Sequence, residues 1–140
     1  MRRYAYRLFR QRLRGTPMNV VIPIFQIVVA LGLLNVWLLR FQQSTPYRGG
    51  NARSMREEFA AYGLPGWSPY VIGTLKVGSA VCLIAGLWLP YLVFPSALLV
   101  AVLMLGALAM HLKIRDPLKK SVPALAMLAL SIAIGLGSIR

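Results

Sequence analysis

Lys76 lies inside an otherwise apolar run, Tyr70 to Leu89, that is long enough to cross a bilayer. A charge at membrane depth is expensive unless it faces a bundle interior or snorkels to the interface, so it marks a candidate site. His111 stands at the far end of the next apolar run, joined to the first only through the Leu89-Pro90-Tyr91 corner. An antiparallel hairpin with that corner returns His111 to the same membrane side as Lys76. An ammonium beside a carbonyl or oxyanion stabilises negative charge developing there, and an imidazole exchanges protons near neutral pH. The chain has only three acids to set against them: Glu57, Glu58 and Asp116. Any of these can neutralise Lys76, and Asp116 can instead cap the turn before Pro117 or hold His111. Asn35 is expected near the same face, where an interhelical hydrogen bond is the ordinary role of such a residue. Arg48, a cation of the first loop, completes the candidate set.

The elements that must position these residues are helices in a membrane. Hydrophobic residues make up 58% of the 140 residues and mean hydropathy is +0.65, too apolar for an ordinary soluble domain. Four stretches meet the requirement of roughly 20 apolar residues per crossing: about 18–39, 70–89, 91–110 and 122–139. The first is too long for a secretory h-region and lacks a small-residue cleavage pattern, so it reads as a span. The expected fold is all-α: one integral membrane domain over 1–140, an antiparallel four-helix transmembrane bundle. Gly73, Lys76 and Ala80 share a helical face, so the lysine should emerge beside a closely packed, small-residue seam.

The long first loop adds one further element. Ser54 with Glu57 three residues on forms a capping-box pattern, Met55, Phe59 and Tyr62 follow at helical spacing, and Gly63 with Pro65 stops the helix. A short amphipathic interfacial helix is expected here, roofing the bundle, with Glu57 and Glu58 either turned toward Lys76 or facing solvent. In the third loop, Ser121 is placed to cap the fourth helix, with Pro123 in its first turn.

Lysine and arginine outnumber acids 16 to 3, a formal net charge of +13. In a soluble protein that suggests nucleic acid; beside membrane spans it reads as topogenic. Residues 1–17 form a basic interfacial segment whose Arg2, Arg3, Arg7, Arg10, Arg12 and Arg14 are expected to contact lipid headgroups and to keep the N-terminus cytoplasmic. The opposite side, with Arg40, Arg48, Arg53, Arg56, Lys113, Arg115, Lys119 and Lys120, is then unusually basic, which suits an acidic partner or anionic ligand. The single cysteine, Cys82, excludes an intrachain disulfide or dithiol relay. One histidine excludes bis-histidine haem ligation, and no metal-ligand set is evident.

Four segments stand in a telling order: Phe59-Ala60-Ala61-Tyr62-Gly63-Leu64-Pro65, Ile72-Gly73-Thr74-Leu75-Lys76, Gly86-Leu87-Trp88-Leu89-Pro90, and Met110-His111-Leu112-Lys113-Ile114-Arg115-Asp116-Pro117. In these segments and their order the chain resembles the DoxX-like family of small four-helix integral membrane proteins. It implies a four-helix bundle and, for some relatives, association with respiratory oxidoreductases that use quinone as acceptor; other relatives look like accessory proteins.

Two functions from different classes are therefore expected. The first is a noncatalytic subunit or assembly factor of a larger membrane complex, its partners being lipids and that complex, or further copies of itself. The alternative is a quinone-linked subunit in which Lys76 and His111 hold the quinone head, with electrons supplied by a partner.

Overall fold

The computed structural model describes residues 2–5, 7–8 and 18–139. Residues 2–5 and 7–8 are helical, and Arg2, Arg3 and Arg7 are exposed; Arg10, Arg12 and Arg14 lie outside the described residues. The described residues form an all-helical protein with four helices long and apolar enough to span a membrane. These are α1 (Met18–Leu34, extended by a π-helical turn Asn35–Leu39), α3 (Ser68–Ala85), α4 (Val93–Lys113, preceded by a 3-10 turn Pro90–Leu92) and α5 (Leu118–Ser138). The short helix α2 (Met55–Ala61) lies in the first loop. With spans of 18 to 24 residues, the helices reach about 27 to 36 Å at 1.5 Å per residue, against a hydrocarbon core of about 30 Å.

Packing closes the four spans into a ring. α1 packs on α3 and α5, α4 packs on α3 and α5, and the α4–α5 pair, joined by the shortest loop, shares the largest interface. The inward stripe of α1 runs Ile22, Gln26, Val29, Ala30, Leu33 and Trp37, spaced by three and four residues as an α-helical face requires. It meets Ala80 and Leu83 of α3, Ala97, Val100 and Met104 of α4, and Ala124 and Ile134 of α5 in one apolar core. The one amide in this stripe is satisfied: Gln26 Nε2 donates to the carbonyl of Leu83, in the last turn of α3, at 2.9 Å. Gly86 sits where these elements converge, since a Cβ there would lie 2.6 Å from Val93 and 3.3 Å from the Gln26 amide. Outward faces carry large apolar residues such as Val20, Leu31, Val102 and Leu105, the arrangement lipid exposure demands.

Element ends differ from the sequence expectation where backbone capping, not charge, sets the limit. α4 runs to Lys113, so His111 occupies its last turn. It ends in a Schellman motif: Asp116 N–H bonds to the His111 carbonyl (2.9 Å), Arg115 N–H to Leu112 (3.1 Å), and Arg115 takes a left-handed conformation with φ 56°. α5 starts at once after Pro117, four residues earlier than expected, because Lys119 and Lys120 are accommodated in its first turn. Ser121 is therefore buried inside the helix and is not its cap; the capping position is Pro117, with no side-chain hydrogen bond.

The roofing helix is present. Ser54 Oγ accepts from Glu57 N–H at 3.2 Å, while Glu57 Oε2 accepts from Arg53 N–H at 2.6 Å. α2 ends in a second Schellman motif, with Gly63 at φ 79° and Leu64 N–H bonded to the Phe59 carbonyl at 3.1 Å. Met55, Phe59 and Tyr62 turn inward and join Trp37 in a second core under the loop, flanked by Ile72, Val77, Met110 and Ile114.

Candidate functional site

Two buried carboxylates organise the roof. Glu58 Oε2 pairs with Arg48 Nη1 at 2.9 Å, and its Oε1 accepts from the Tyr62 hydroxyl (2.7 Å) and the Gly49 N–H (3.0 Å). Arg48 uses its remaining donors on the carbonyls of Gln43 (3.1 and 3.0 Å) and Arg40, so one guanidinium stitches the loop to the roofing helix. Burial, then the charge of Glu58, raises the Tyr62 pKa well above that of an ordinary phenol, so its hydroxyl stays a donor.

Asp116 joins the first loop to the third. The Schellman turn folds it back over the last turn of α4, where its Oδ2 accepts from His111 Nδ1 at 2.6 Å. Its Oδ1 accepts from Gly50 N–H at 3.0 Å, and Lys120 donates to the Gly50 carbonyl at 2.5 Å. Burial by itself would raise the Asp116 pKa, but the hydrogen bonds from His111 and Gly50 and the nearby charges hold it below the usual carboxylate value. The adjacent residues Gly49 and Gly50 thus each give an N–H to a different carboxylate. Gly50 needs φ 57°, and a Cβ on Gly49 would fall 2.7 Å from the Tyr62 ring. Two further contacts close the same seam: Lys113 Nζ donates to the Tyr62 carbonyl at 2.8 Å, and the Tyr62 and His111 rings meet edge to face at 5.8 Å.

Lys76 stands apart from both carboxylates. It is 7% exposed, and its Nζ lies 4.9 Å from the centre of the Trp37 ring. The expected acid contact is not made: among the described residues no hydrogen bond or ion pair joins it to Glu57, Glu58, Asp116 or Asn35. Glu58 acts on it only across space. The acids are occupied elsewhere, Glu58 by Arg48 and Asp116 by His111, and Glu57 is an exposed end-of-helix acceptor. Trp37 is the partner instead, a cation–π contact. Gly73 makes room for it, since a Cβ there would lie 2.7 Å from the indole. Trp37 is thus a buried platform, whereas Trp67 and Trp88 are exposed near helix ends.

A chamber of about 740 Å³ opens between the roof and the spans. Lys76, Trp37, Arg48, Glu58, Tyr62 and His111 all line it, as do Asn35, whose residue is exposed, and apolar residues of α1, α3, α4 and α5. So Lys76, His111, Arg48, Glu58 and Asn35 border one space, with Asp116 behind His111; Glu57 is turned away. Trp37, Tyr62 and the glycine pair are not among the candidate site residues of the sequence, which places Lys120 only in the basic face. From sequence, a Gly-Gly pair signals only a turn, Tyr62 only a helix face, and a tryptophan near a span end only an interface residue. Chemically, the chamber offers a hydrogen-bonding ammonium, an imidazole fixed at Nδ1 by a carboxylate, and apolar walls. No group of three or more potential metal ligands is present among the described residues.

The chain is 32% identical over 83 residues to the uncharacterized protein YdgD of Bacillus subtilis (strain 168), a stretch covering 59% of this chain and 73% of that protein. No solved structure matches it. Four apolar spans together with the family's sequence pattern, which matches residues 47–134, make this a multi-pass integral membrane protein. The chain belongs to the DoxX-like family.

Proposed function

We propose that this chain is a small noncatalytic membrane subunit that holds an amphipathic ligand in its chamber and presents it to a larger membrane partner. The carrying observation is Lys76, a buried ammonium that borders the chamber and has an aromatic ring but no oxygen as its partner among the described residues. The chamber volume falls in the range of about 300–1,000 Å³ typical of small-ligand sites, and its mix of apolar wall and few polar groups is also typical. The chain has one cysteine, so any electrons delivered to a bound ligand come from a partner. With a cytoplasmic N-terminus the roof faces the other compartment, and exposed Arg53, Arg56, Arg115 and Lys119 offer an acidic partner a basic surface.

A second reading, a quinone-linked redox subunit, is favoured by the His111–Asp116 pair. An imidazole held at Nδ1 by a carboxylate, with Lys76 on the same chamber, is suited to exchanging a proton with a reducible carbonyl.

Gentle extraction from the native membrane, with identification of the proteins and small molecules that copurify, tests both. The first reading expects a stoichiometric larger partner and a bound amphiphile. A quinone as that amphiphile moves the redox reading to the front. A solitary protein that stays ligand-free in lipid discs counts against both.

A further inference from the structure

The chamber lining is unbalanced in charge. Arg40, Arg48, Lys76 and Lys120 line it as cations, with Glu58 as the one carboxylate. Three of the four cations are accounted for. Arg48 is paired with Glu58 and backbone carbonyls, Lys120 is bonded to the Gly50 carbonyl, and Arg40 is exposed. Lys76 alone is both buried and without an oxygen acceptor among the described residues. Each oxygen of Asp116 accepts a hydrogen bond, from Gly50 N–H and His111 Nδ1, with Lys120 Nζ 3.9 Å from Oδ1, and no ion pair joins it to Lys76 among the described residues.

A buried cation without a counter-charge is an unfavourable arrangement that a ligand carrying one negative charge relieves. Around it the walls are apolar, with Leu33, Val36, Ile72, Leu103, Met104 and Met127 among them. Methionines and aliphatic side chains accommodate a flexible hydrocarbon chain without demanding a fixed shape. The indole of Trp37 holds the ammonium at a set place in the chamber, so the charge has one defined position. We propose that the chamber binds a long-chain carboxylate, its head paired with Lys76 Nζ and its chain among the aliphatic walls. This names the ligand class of the chamber described above and rests on that ligand-holding reading.

The test uses the full chain in discs of neutral phosphatidylcholine, with empty discs as reference, and compares oleate, oleyl alcohol and decylubiquinone by calorimetry. A charge-assisted hydrogen bond predicts that oleate binds saturably at one per chain and roughly tenfold or more tighter than the alcohol. Lys76→Met abolishes the preference for the carboxylate, while Lys76→Arg keeps it. The comparison of the two oleyl ligands on the unaltered protein needs no variant, so it decides the matter even where Lys76→Met fails to fold. Equal binding of alcohol and oleate, or tighter binding of decylubiquinone than of oleate, overturns the carboxylate proposal and leaves the ligand-holding reading standing. Absence of saturable binding by all three overturns both.

Discussion

Replacing Arg48 by methionine should loosen the roof far more than a surface substitution does, because Glu58 is then left buried without its cation. The two side chains are 4% and 11% exposed and meet at 2.9 Å. Removing one partner of a buried pair is destabilising by about 3–5 kcal/mol, whereas removing both is often close to neutral. Here the double variant Arg48→Met/Glu58→Gln should recover only part of the loss. Arg48 also serves the carbonyls of Arg40 and Gln43, and each orphaned hydrogen bond is worth about 0.5–1.5 kcal/mol. The roof can open locally while the spans stay folded, so amide hydrogen exchange over residues 47–64 is the suitable assay. A loss of 3 kcal/mol corresponds to exchange on the order of a hundredfold faster or more, because each 1.4 kcal/mol is a factor of ten. Exchange in Arg48→Met within about twofold of the unaltered protein, or a double variant as loose as the single one, would refute the claim that an uncompensated Glu58 charge is what opens the roof.

Three further outcomes are expected. Arg115→Gly should stabilise the protein by up to about 1 kcal/mol in a denaturant titration, since an exposed arginine holds the left-handed position that glycine fills in the equivalent turn at Gly63; a loss of stability would mean that the arginine side chain contributes contacts of its own. The Asp116 pKa is depressed in the fold, so its stabilising effect is fully present above the unfolded value of about 3.9 and is lost as pH falls through the lower folded value. Roof exchange should therefore change little from pH 7 to about 4 beyond its intrinsic rate and accelerate below that, with Asp116→Asn already loose throughout; opening that begins well above pH 4 would refute the assignment to Asp116. Gly73→Ala should push the Trp37 ring away and cost about 1–3 kcal/mol, as overpacking does, with a shift in indole fluorescence when Trp67 and Trp88 are replaced by phenylalanine; an unshifted spectrum would show that the ring does not depend on that close approach.

What could be read from the sequence divides by the range of the interaction. The four spans and the roofing helix follow from runs and spacings confined to one segment, as with Met55, Phe59 and Tyr62 after Ser54, and local rules capture those. Likewise Lys76 and His111 stand out because polar residues in apolar runs are rare. The pairing of charges was not legible in the same way. With three acids for sixteen basic residues, the sequence says that most cations lack a partner but not which ones. That choice is made by backbone turns: the Gly49-Gly50 corner delivers one N–H to Glu58 and the next to Asp116, and the Schellman turn at Arg115 swings Asp116 onto His111. Once those turns have claimed both buried carboxylates, Lys76 is left facing the chamber with Trp37 as its neighbour. The acid contact expected for Lys76 fails for the same reason that its site is open to a ligand: the structure spends its few carboxylates on holding the roof shut.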